Sequence, residues 1–500
     1  MSSAPLIVVG AGIAGLSVAL AAAPRPVLLL SAGANGDDSS TRLAQGGIAA
    51  AIAPGDHWLE HCEDTLRCGS YSNDVEAVRY LTQQAPSAIA WLQRLGADFD
   101  GDRHGLHFAR EGGHRRARVL HLGGDASGAG LLRVLQEAAR AAAHIAWREG
   151  VCVEGLLRRG ERVSGVVVRD GDDYRSRIHG SAVVLATGGI GGLFAATSNP
   201  ASSQGVGLAL ARAVGARLRD LELLQFHPTG LATTVAGPQR PLLTEALRGA
   251  GAVLRDEHGQ ALMAGVHPQG DLAPRDIVAR RIWQRQQAGD RVFLDVRHIG
   301  ERVLHGFPTV AALCAKAGID PVSALLPVTP LAHFHMGGIA VDLDGASSAP
   351  GLFAVGEVAG NGVHGGNRLA SNALLEAVVF GRRLGQRLRD EVQASASAMS
   401  TELSMLPPPA TMADLEGLRG LLWKGMGPVR THCGLQLAIE RVATHPELCN
   451  SWQGRLALCL LHAALARREN CGAHYRADAI GPRAQVAGDA ASAMPVSPCQ

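Results

Sequence analysis

The sequence has almost no lysine, few aromatic residues and no recognisable cysteine motif. Only Lys316 and Lys424 are lysines, and the 47 basic and 45 acidic residues leave a formal net charge of +2. Because the arginines are spread along the chain, they indicate no basic patch, and we expect no nucleic-acid partner. The nine cysteines are an odd number without CxxC spacing. They predict neither a metal site nor a disulfide framework, and they favour the reducing cytoplasm.

An uninterrupted apolar segment long enough to cross a membrane is also missing. Residues 5–23 carry no charge, so a signal peptide or a membrane helix is one interpretation. However, three glycines interrupt this stretch and no lysine or arginine precedes Arg25. A strand followed by a helix in a cytoplasmic protein explains the stretch better, and we expect no membrane association. The 500 residues exceed what one hydrophobic core usually supports, so two or three domains are expected.

The stretch from Leu6 to Leu20 predicts a strand, a glycine turn and a helix. The apolar run LIVV leads directly into the G-x-G-x-x-G pattern of residues 10–15. Its first glycine allows the tight turn, its second lets the backbone approach a pyrophosphate, and its third lets helix and strand pack closely. The pattern indicates a dinucleotide site formed by Gly10, Ala11, Gly12, Ile13, Ala14 and Gly15.

Three further segments fit the same kind of ligand. Ser31 ends the second predicted strand, where an acidic residue would bind a ribose hydroxyl; serine binds it only weakly, which disfavours NAD. The loop 39–47 is rich in hydroxyls and backbone amides that suit a flavin or a phosphate, although any polar loop can have this composition. The strand predicted at 182–186 ends in a second glycine turn, 187–189, and two such turns fit one large nucleotide.

Histidines and arginines in the second half of the chain indicate an anion pocket. A proline and an aspartate mark a helix start with Arg275 in its first turn, where the guanidinium and the helix dipole both favour an anion. His227 and His333 lie beside proline or glycine in predicted loops. Singly, each is more typical of a core or surface residue. Together with Arg368 they favour a shared anion site.

The carboxyl-terminal part of the chain shows no visible chemistry. Ser/Ala repeats and three consecutive prolines predict a linker over 391–412. Residues 435–442 and 452–468 have the apolar spacing of amphipathic helices and predict a small helical domain over 413–482. The tail, 483–500, is predicted to be disordered.

Taken in order, ten short motifs resemble the succinate dehydrogenase/fumarate reductase flavoprotein family. The motifs are GAGIAGL (10–16), STRLAQGGIAA (40–50), REGGH (110–114), LATGG (185–189), QFHPTG (225–230), LLTEALRGAGA (242–252), LAPRDIVAR (272–280), AHFHMGGI (332–339), GEV (356–358) and HGGNRLASNALLEAVVFG (364–381). The resemblance runs from about residue 5 to residue 480 and is strongest to the branch that oxidises L-aspartate.

The resemblance implies an α/β fold in which FAD binds without a covalent bond. A Rossmann-like FAD-binding domain would comprise residues 1–220 and 330–390, with an inserted α+β capping domain over 221–329 and the helical domain after it. Ser40 stands where membrane-bound relatives carry a flavin-linked histidine. Besides the first glycine turn and Ser31, the implied FAD-binding residues are Ser40, Thr41, Arg42, Leu43, Ala44, Gln45, Gly46, Gly47, Val153, Thr187, Gly188, Glu357, Ala373 and Leu374.

For the substrate, the resemblance implies a dicarboxylate site between FAD and the cap. The implied catalytic residues are Glu111, His227, Thr244, Glu245, Arg275, His333 and Arg368. Arg275 would transfer a proton, and the other cationic and neutral donors would hold two carboxylates. Glu111 would pair with an ammonium group, whereas against succinate it would be a buried unpaired charge, so an amino acid substrate is favoured.

The implied activity is the FAD-dependent oxidation of L-aspartate to iminoaspartate. Electrons would pass to oxygen, giving hydrogen peroxide, or to fumarate, giving succinate. By analogy, the product would feed a quinolinate synthase, which makes this reaction the first step of de novo NAD biosynthesis. The alternatives are a soluble fumarate reductase or succinate dehydrogenase-type flavoprotein, and a flavin-binding protein without turnover.

The chain departs from the family pattern at three positions. Ala32, Val206 and Cys471 stand where a basic residue, an aspartate and a serine are common. The first two departures predict weaker FAD binding, and the third lies in the helical domain. None of them removes an implied catalytic residue.

Overall fold

Leu6–Val9 forms the central strand of a five-stranded parallel sheet in the computed structural model, which describes residues 4–34, 38–233, 237–390 and 401–479. All four side chains are buried, as in a sheet covered on both faces. Leu6 and Val8 join the core on one face, and Ile7 and Val9 join the core on the other. The strands lie in the order Leu352–Ala354, Ala182–Leu185, Leu6–Val9, Val27–Leu30 and Ile145–Arg148.

Helices cover one face of this sheet. The first of them, Ile13–Ala21, begins immediately after the glycine turn, as the sequence predicts. The helices that share its core include Val75–Arg94, Ser127–Ala141 and Asn372–Asp390. Residues 5–23 are therefore a strand, a turn and a short helix. Within the described ranges, none of the helices combines the length and the apolar character that spanning a membrane requires.

The opposite face packs against an antiparallel sheet and against the carboxyl-terminal helices, which share one core with it. The strands of this second sheet are, in order, Arg175–His179, Arg162–Arg169, Cys152–Arg159 and Thr401–Met405. The helices are Met412–Gly425, His432–Thr444, Pro446–Asn450 and Trp452–Ala466. Both predicted amphipathic helices lie within this set. The predicted disordered tail, 483–500, lies outside the described residues.

Part of the segment interpreted as a linker is a strand. Residues 391–400 lie outside the described ranges, but Thr401–Met405 pairs antiparallel with the strand Cys152–Arg159, Thr401 opposite Arg159 and Met405 opposite Gly155. The composition of 391–412 does not predict this strand, because the strand forms by hydrogen bonding to the edge of a sheet built from a distant part of the chain.

The cap region has its own sheet and its own core. Its antiparallel strands are, in order, Leu224–Leu231, Leu326–His335, Val292–Asp295 and Val253–Asp256. The helix Arg275–Gln287 packs on this sheet and has Pro274 at its N-cap position, so the predicted helix start is confirmed. The domain boundaries inferred from the resemblance stay a prediction.

Shorter elements complete the description. A three-stranded sheet contains Leu218–Arg219, Gly338–Ala340 and Ala359–Gly360, and two ribbons pair Ile48–Ala49 with Val119–Leu120 and Gly101–Asp102 with Gly105–Leu106. The remaining α-helices are Ser40–Leu43, Trp58–Cys68, Val206–Ala213, Ala246–Gly249, Arg302–Gly306 and Pro308–Lys316. Single 3₁₀ turns are Gly191–Leu193, Gly270–Leu272, Arg297–Ile299 and Gly356–Val358.

Candidate active site

One large cavity collects almost all of the residues singled out in the sequence. It has a volume of about 770 Å³ and lies between the end of the strand Leu6–Val9 and the cap. All the implied catalytic residues line it, and so do all the implied FAD-binding residues except Gly15 and Arg42. Arg42 is exposed on the short helix Ser40–Leu43. The tertiary structure therefore unites segments from the whole chain in a single site.

The glycine turn makes the tight approach that the sequence predicts. Gly10 has a φ of +112°, and a Cβ atom there would collide with the carbonyl oxygen of Ala186. A Cβ atom on Gly15 would collide with the carbonyl of Gly10. Gly15 therefore packs the helix against the turn without lining the cavity. At the helix N-terminus, the Ile13 N–H donates to Thr41 Oγ1 at 3.3 Å.

Several buried polar atoms facing the cavity have no protein partner. Within the described residues, Gln45 Oε1 and Thr187 Oγ1 have none, although Gln45 Nε2 donates to the Leu242 carbonyl at 2.7 Å. Glu357 Oε1 accepts the His335 N–H at 2.9 Å, and burial raises the pKa of Glu357 to about 7. A glycine turn beside such groups fits a dinucleotide cofactor. Together with the cavity's size, these residues fit FAD.

Two predicted cofactor contacts have their side chains engaged within the protein. Ser31 Oγ donates to the Gly33 carbonyl at 3.0 Å and accepts the Trp147 indole N–H at 3.1 Å. Ser40 Oγ accepts a hydrogen bond from Asn199 Nδ2 at 3.2 Å. A serine hydroxyl at position 40 offers no imidazole for a flavin bond, which agrees with the expectation of non-covalent FAD.

The cavity also contains residues that the sequence analysis missed. The additional lining residues include Cys152, Glu154, Arg169, Arg175, Ser198, Asn199, Ser202, Ser203, Gln204, Met405, Leu406, Pro407, Pro408, Pro409, Trp452 and Gln453. No local pattern identifies them, because ordinary polar loops and helix ends reach the cavity only through tertiary packing. The QFHPTG and NRLASN motifs identify residues on the cap side of the site, but they do not predict which residues these side chains contact.

A buried chain of charges lies at the cap side of the cavity. Arg275 Nε donates to Glu245 Oε2 at 2.5 Å, and Arg248 Nη2 donates to Glu245 Oε1 at 2.8 Å. Burial opposes ionisation of Glu245, but the charges of Arg275 and Arg248 prevail and lower its pKa to about 2. Arg275 Nη1 also donates to Gln225 Oε1 at 3.1 Å. The Arg275 guanidinium is therefore fixed at the cavity wall by two acceptors.

His227, His333 and Arg368 form a second group on the same wall. The prediction that both histidines lie in loops is wrong, because they belong to the paired strands Leu224–Leu231 and Leu326–His335 of the cap sheet. The two imidazole rings meet edge to face with centroids 5.0 Å apart. Arg368 Nη2 donates to His333 Nε2 at 3.1 Å, so His333 Nδ1 carries the proton and donates to Ser198 Oγ at 2.7 Å. The Thr229 N–H donates to His227 Nδ1 at 3.3 Å, which leaves its Nε2 as a donor. Burial and the nearby Arg275 hold the pKa of both histidines well below the ordinary value, so both are neutral.

Glu111 is a buried carboxylate in the same cavity. Its side chain is only 2% exposed, and Ser371 Oγ donates to Oε2 at 2.6 Å. His121 Nε2 lies 3.7 Å from Oε1, and Oε1 has no hydrogen-bond partner among the described residues. Thr244, also buried, adds a neutral hydroxyl to the site. Several cationic or neutral donors and one available carboxylate therefore line a single cavity.

Three of the buried histidines are expected to make the fold sensitive to acid. Burial is the main cause that lowers the pKa of His61 to about 3, of His335 to about 4 and of His474 to about 3. The unfolded chain binds these protons near pH 6.5, so their stabilisation is complete above pH 6.5 and is lost as the pH falls below it. Glu357, whose pKa is raised, acts in the opposite direction between about pH 4.5 and pH 7, but it contributes a single proton.

His227 and His333, whose pKa values also lie well below the ordinary value, add to this effect, so the free energy of unfolding should be lower at pH 5.5 than at pH 7.5. Thermal melts over this range measure it. In His474→Gln the dependence of the unfolding free energy on pH should weaken by up to one proton, because glutamine does not titrate. The glutamine amide can replace the hydrogen bonds from Arg430 and to the Arg467 carbonyl, so the fold should be kept. A melting temperature that does not change between pH 7.5 and pH 5.5 would contradict this explanation.

Comparison with known proteins agrees with the fold and the cavity. Residues 6–374 match the family model described as FAD binding domain. L-aspartate oxidases of Caulobacter vibrioides and Agrobacterium fabrum are 42% and 41% identical to the chain, over 94% of it in both cases and over 93% and 90% of their own lengths. An E. coli quinol fumarate reductase structure superimposes with a TM-score of 0.85 at 29% identity, covering 95% of this chain and 91% of that chain.

The fold and the site thus define an FAD-dependent oxidoreductase. The resemblance to the succinate dehydrogenase/fumarate reductase flavoproteins is confirmed, as is the prediction of an α/β fold with FAD as cofactor. The chain belongs to the L-aspartate oxidase family of FAD-binding proteins.

Proposed function

We propose that the chain oxidises L-aspartate to iminoaspartate. The observation that carries this proposal is the buried Glu111 carboxylate, which has one oxygen without a hydrogen-bond partner among the described residues and shares its cavity with Arg275, Arg368 and the neutral histidines. A diacid without an amino group would leave Oε1 of this buried carboxylate without a hydrogen-bond partner, which is costly. An α-ammonium group would pair with its available oxygen. The identity to L-aspartate oxidases supports the same substrate.

The roles of the side chains are inferred from their contacts. Arg368 and the Nε2 proton of His227 would bind the substrate carboxylates, with Thr244 as a neutral donor. Glu111 would orient the ammonium group and thereby the bond that is oxidised. Bound FAD supplies the two-electron acceptor. The glycine turn and the loop 39–47 would hold it against this wall.

Arg275 is the proposed proton-transfer residue. Its Nη atoms lie at the cavity wall, and Glu245 holds its Nε from behind. Because a guanidinium carries all its protons and accepts none, Arg275 can take a proton from the substrate only as it gives one of its own to a second acceptor. The ionised Glu245, shared with Arg248, is the adjacent carboxylate that can stabilise such a transfer. An exclusively electrostatic role for Arg275 is the competing hypothesis.

The reaction needs an electron acceptor, and its imine product needs an enzyme that consumes it. We propose oxygen, giving hydrogen peroxide, or fumarate, giving succinate, as the electron acceptor. Iminoaspartate is the proposed substrate of a quinolinate synthase in NAD biosynthesis. A reducing compartment suits a chain with the buried thiols Cys62, Cys68 and Cys314, and we place the reaction in the cytoplasm.

An anaerobic absorbance spectrum tests the reaction class. L-Aspartate added to the purified FAD-loaded protein should bleach the flavin band, and admission of oxygen should restore the band with formation of hydrogen peroxide. Succinate at the same concentration is the matched control, because it has the same two carboxylates and no amine. Bleaching by succinate but not by L-aspartate would establish the succinate dehydrogenase-type alternative in place of this proposal.

A further inference from the structure

A stretch interpreted from sequence as part of a linker forms one wall of the cofactor cavity. Residues 406–409, here called the proline strap, line the cavity together with Trp452 and Gln453 at the start of the last helix. Pro408 and Pro409 are exposed on their outer side, and Leu406 and Pro407 are half-buried. The carboxyl-terminal helices thus reach the site that the rest of the chain builds.

The proline strap is anchored at both of its ends. The Leu406 N–H donates to the Glu154 carbonyl at 2.9 Å, next to the strand pair that includes Thr401–Met405. At the other end, the Trp452 N–H donates to the Pro408 carbonyl at 3.2 Å, and Gln453 Oε1 accepts the Ala410 N–H at 2.9 Å. Because proline fixes its own φ, a segment held at two ends through three prolines is already rigid before any ligand binds.

Gln453 also connects the strap to the opposite wall of the cavity. Its Nε2 donates to Gln204 Oε1 at 3.1 Å, and Gln204 lines the cavity next to Ser203. Ser203 Oγ lies 3.4 Å from Ser40 Oγ, in the loop that was predicted to contact FAD. The buried Gln453 side chain therefore joins the end of the strap to Gln204, and the neighbouring Ser203 contacts the loop 39–47.

The position of the proline strap indicates which half of FAD it meets. In dinucleotide-binding folds, the residue that ends the second strand lies at the adenosine ribose, and here that residue is Ser31. The Val151 N–H donates to the Ser31 carbonyl at 3.0 Å, and the chain then runs directly to Glu154, the anchor of the strap. Arg275 and the histidines of the substrate wall belong to the cap sheet and its helix. The strap therefore borders the adenosine end.

We propose that the proline strap and Gln453 are part of the FAD-binding site and retain its adenosine half. Proline rings and the Trp452 indole offer apolar surface to an adenine. Such a contact compensates for the weak cofactor binding expected of Ser31, Ala32 and Val206, whose side chains offer no ion pair and no strong hydrogen bond to FAD. The inference concerns cofactor retention and does not depend on which dicarboxylate is oxidised.

Titration of the FAD-free protein with FAD, ADP and FMN tests this proposal. Two variants loosen the strap in different ways: Gln453→Leu removes its side-chain anchor, and the triple change Pro407→Gly, Pro408→Gly and Pro409→Gly removes its rings and its rigidity. In both, the Kd for FAD and for ADP should rise about tenfold, as expected for about 1.4 kcal/mol of lost contact. In the proline variant, the Kd for FMN, which lacks the adenosine half, should stay unchanged.

The control variant is Trp423→Phe. Trp423 lies in the same group of helices and packs on Phe226 and Trp283, away from the cavity, so its replacement should leave all three Kd values unchanged. Folding of each variant is checked by its melting temperature, and the exposed proline positions keep the test available should Gln453→Leu not fold. Strap variants that fold and bind FAD and ADP within twofold of the parent would overturn the proposal.

Discussion

Replacing Arg275 with glutamine is expected to slow flavin bleaching by L-aspartate about 10²- to 10⁴-fold at saturating substrate, the usual contribution of proton transfer by a positioned side chain. Glutamine retains hydrogen-bonding capacity and approximate length, but it has no charge. Removal of the Arg275 guanidinium also leaves Arg248 as the remaining ion-pair partner of Glu245 among the described contacts. Stopped-flow absorbance under anaerobic conditions measures the rate constant at each L-aspartate concentration.

The division of the effect between rate and binding decides the role of Arg275. If kcat is unchanged and only KM rises, Arg275 binds substrate electrostatically and does not transfer the proton. A matched control is Arg285→Gln in the same helix, because Arg285 pairs with Asp290 and Asp256 outside the cavity. That variant should keep both kcat and KM of the parent. A comparable loss in the control would show that the helix, and not the guanidinium at position 275, was disturbed.

Replacing Glu111 with glutamine is the second large expected effect. The variant should lower kcat/KM for L-aspartate about 10- to 100-fold, because a charge-assisted hydrogen bond to the ammonium group is lost. Inhibition by succinate should stay the same or strengthen, because the buried negative charge that opposes an uncharged methylene is gone. The glutamine side chain can still accept from Ser371, so the fold around position 111 is preserved.

This prediction is tested by comparing the two ligands, because the variant should lose kcat/KM for L-aspartate while its affinity for succinate stays the same or rises. Steady-state oxidation of L-aspartate and inhibition constants for succinate are measured on the same preparation. Glu60→Gln serves as the control, since Glu60 pairs with Arg116 at the surface and does not line the cavity. An equal weakening of L-aspartate and succinate binding in the Glu111 variant would mean that this carboxylate supports the site without selecting an amine.

Local patterns predicted the elements that depend on local physics. The glycine turn at residues 10–15 results from steric limits on the backbone, and the start of the helix Arg275–Gln287 results from the proline that precedes it. The complete burial of Leu6–Val9 agrees with its apolar run. The anion pocket was a weaker prediction from residues alone, because a single histidine or arginine has several ordinary explanations. It gained strength from the order of the motifs along the chain.

Contacts between distant segments were not predictable in this way. The strand Thr401–Met405 has an ordinary composition and exists because a sheet edge is available to it. The charge pairs of Glu245 with Arg248 and Arg275, and the hydrogen bond of Glu111 with Ser371, involve residues that only the fold brings together in these geometries. Likewise, nothing in the spacing of the three prolines indicated a wall of the cofactor cavity.

The sequence by itself determined that this chain begins with a dinucleotide-binding strand, turn and helix, and that it carries the residue types for holding a dicarboxylate. The reason is that backbone sterics and side-chain periodicity act over a few residues and are visible in their order. Only the tertiary structure decided that Glu111 is buried with one oxygen available, that the two histidines are neutral, and that the start of the last helix lines the same cavity. Burial and charge state depend on what surrounds a group in space, and those neighbours come from distant parts of the chain.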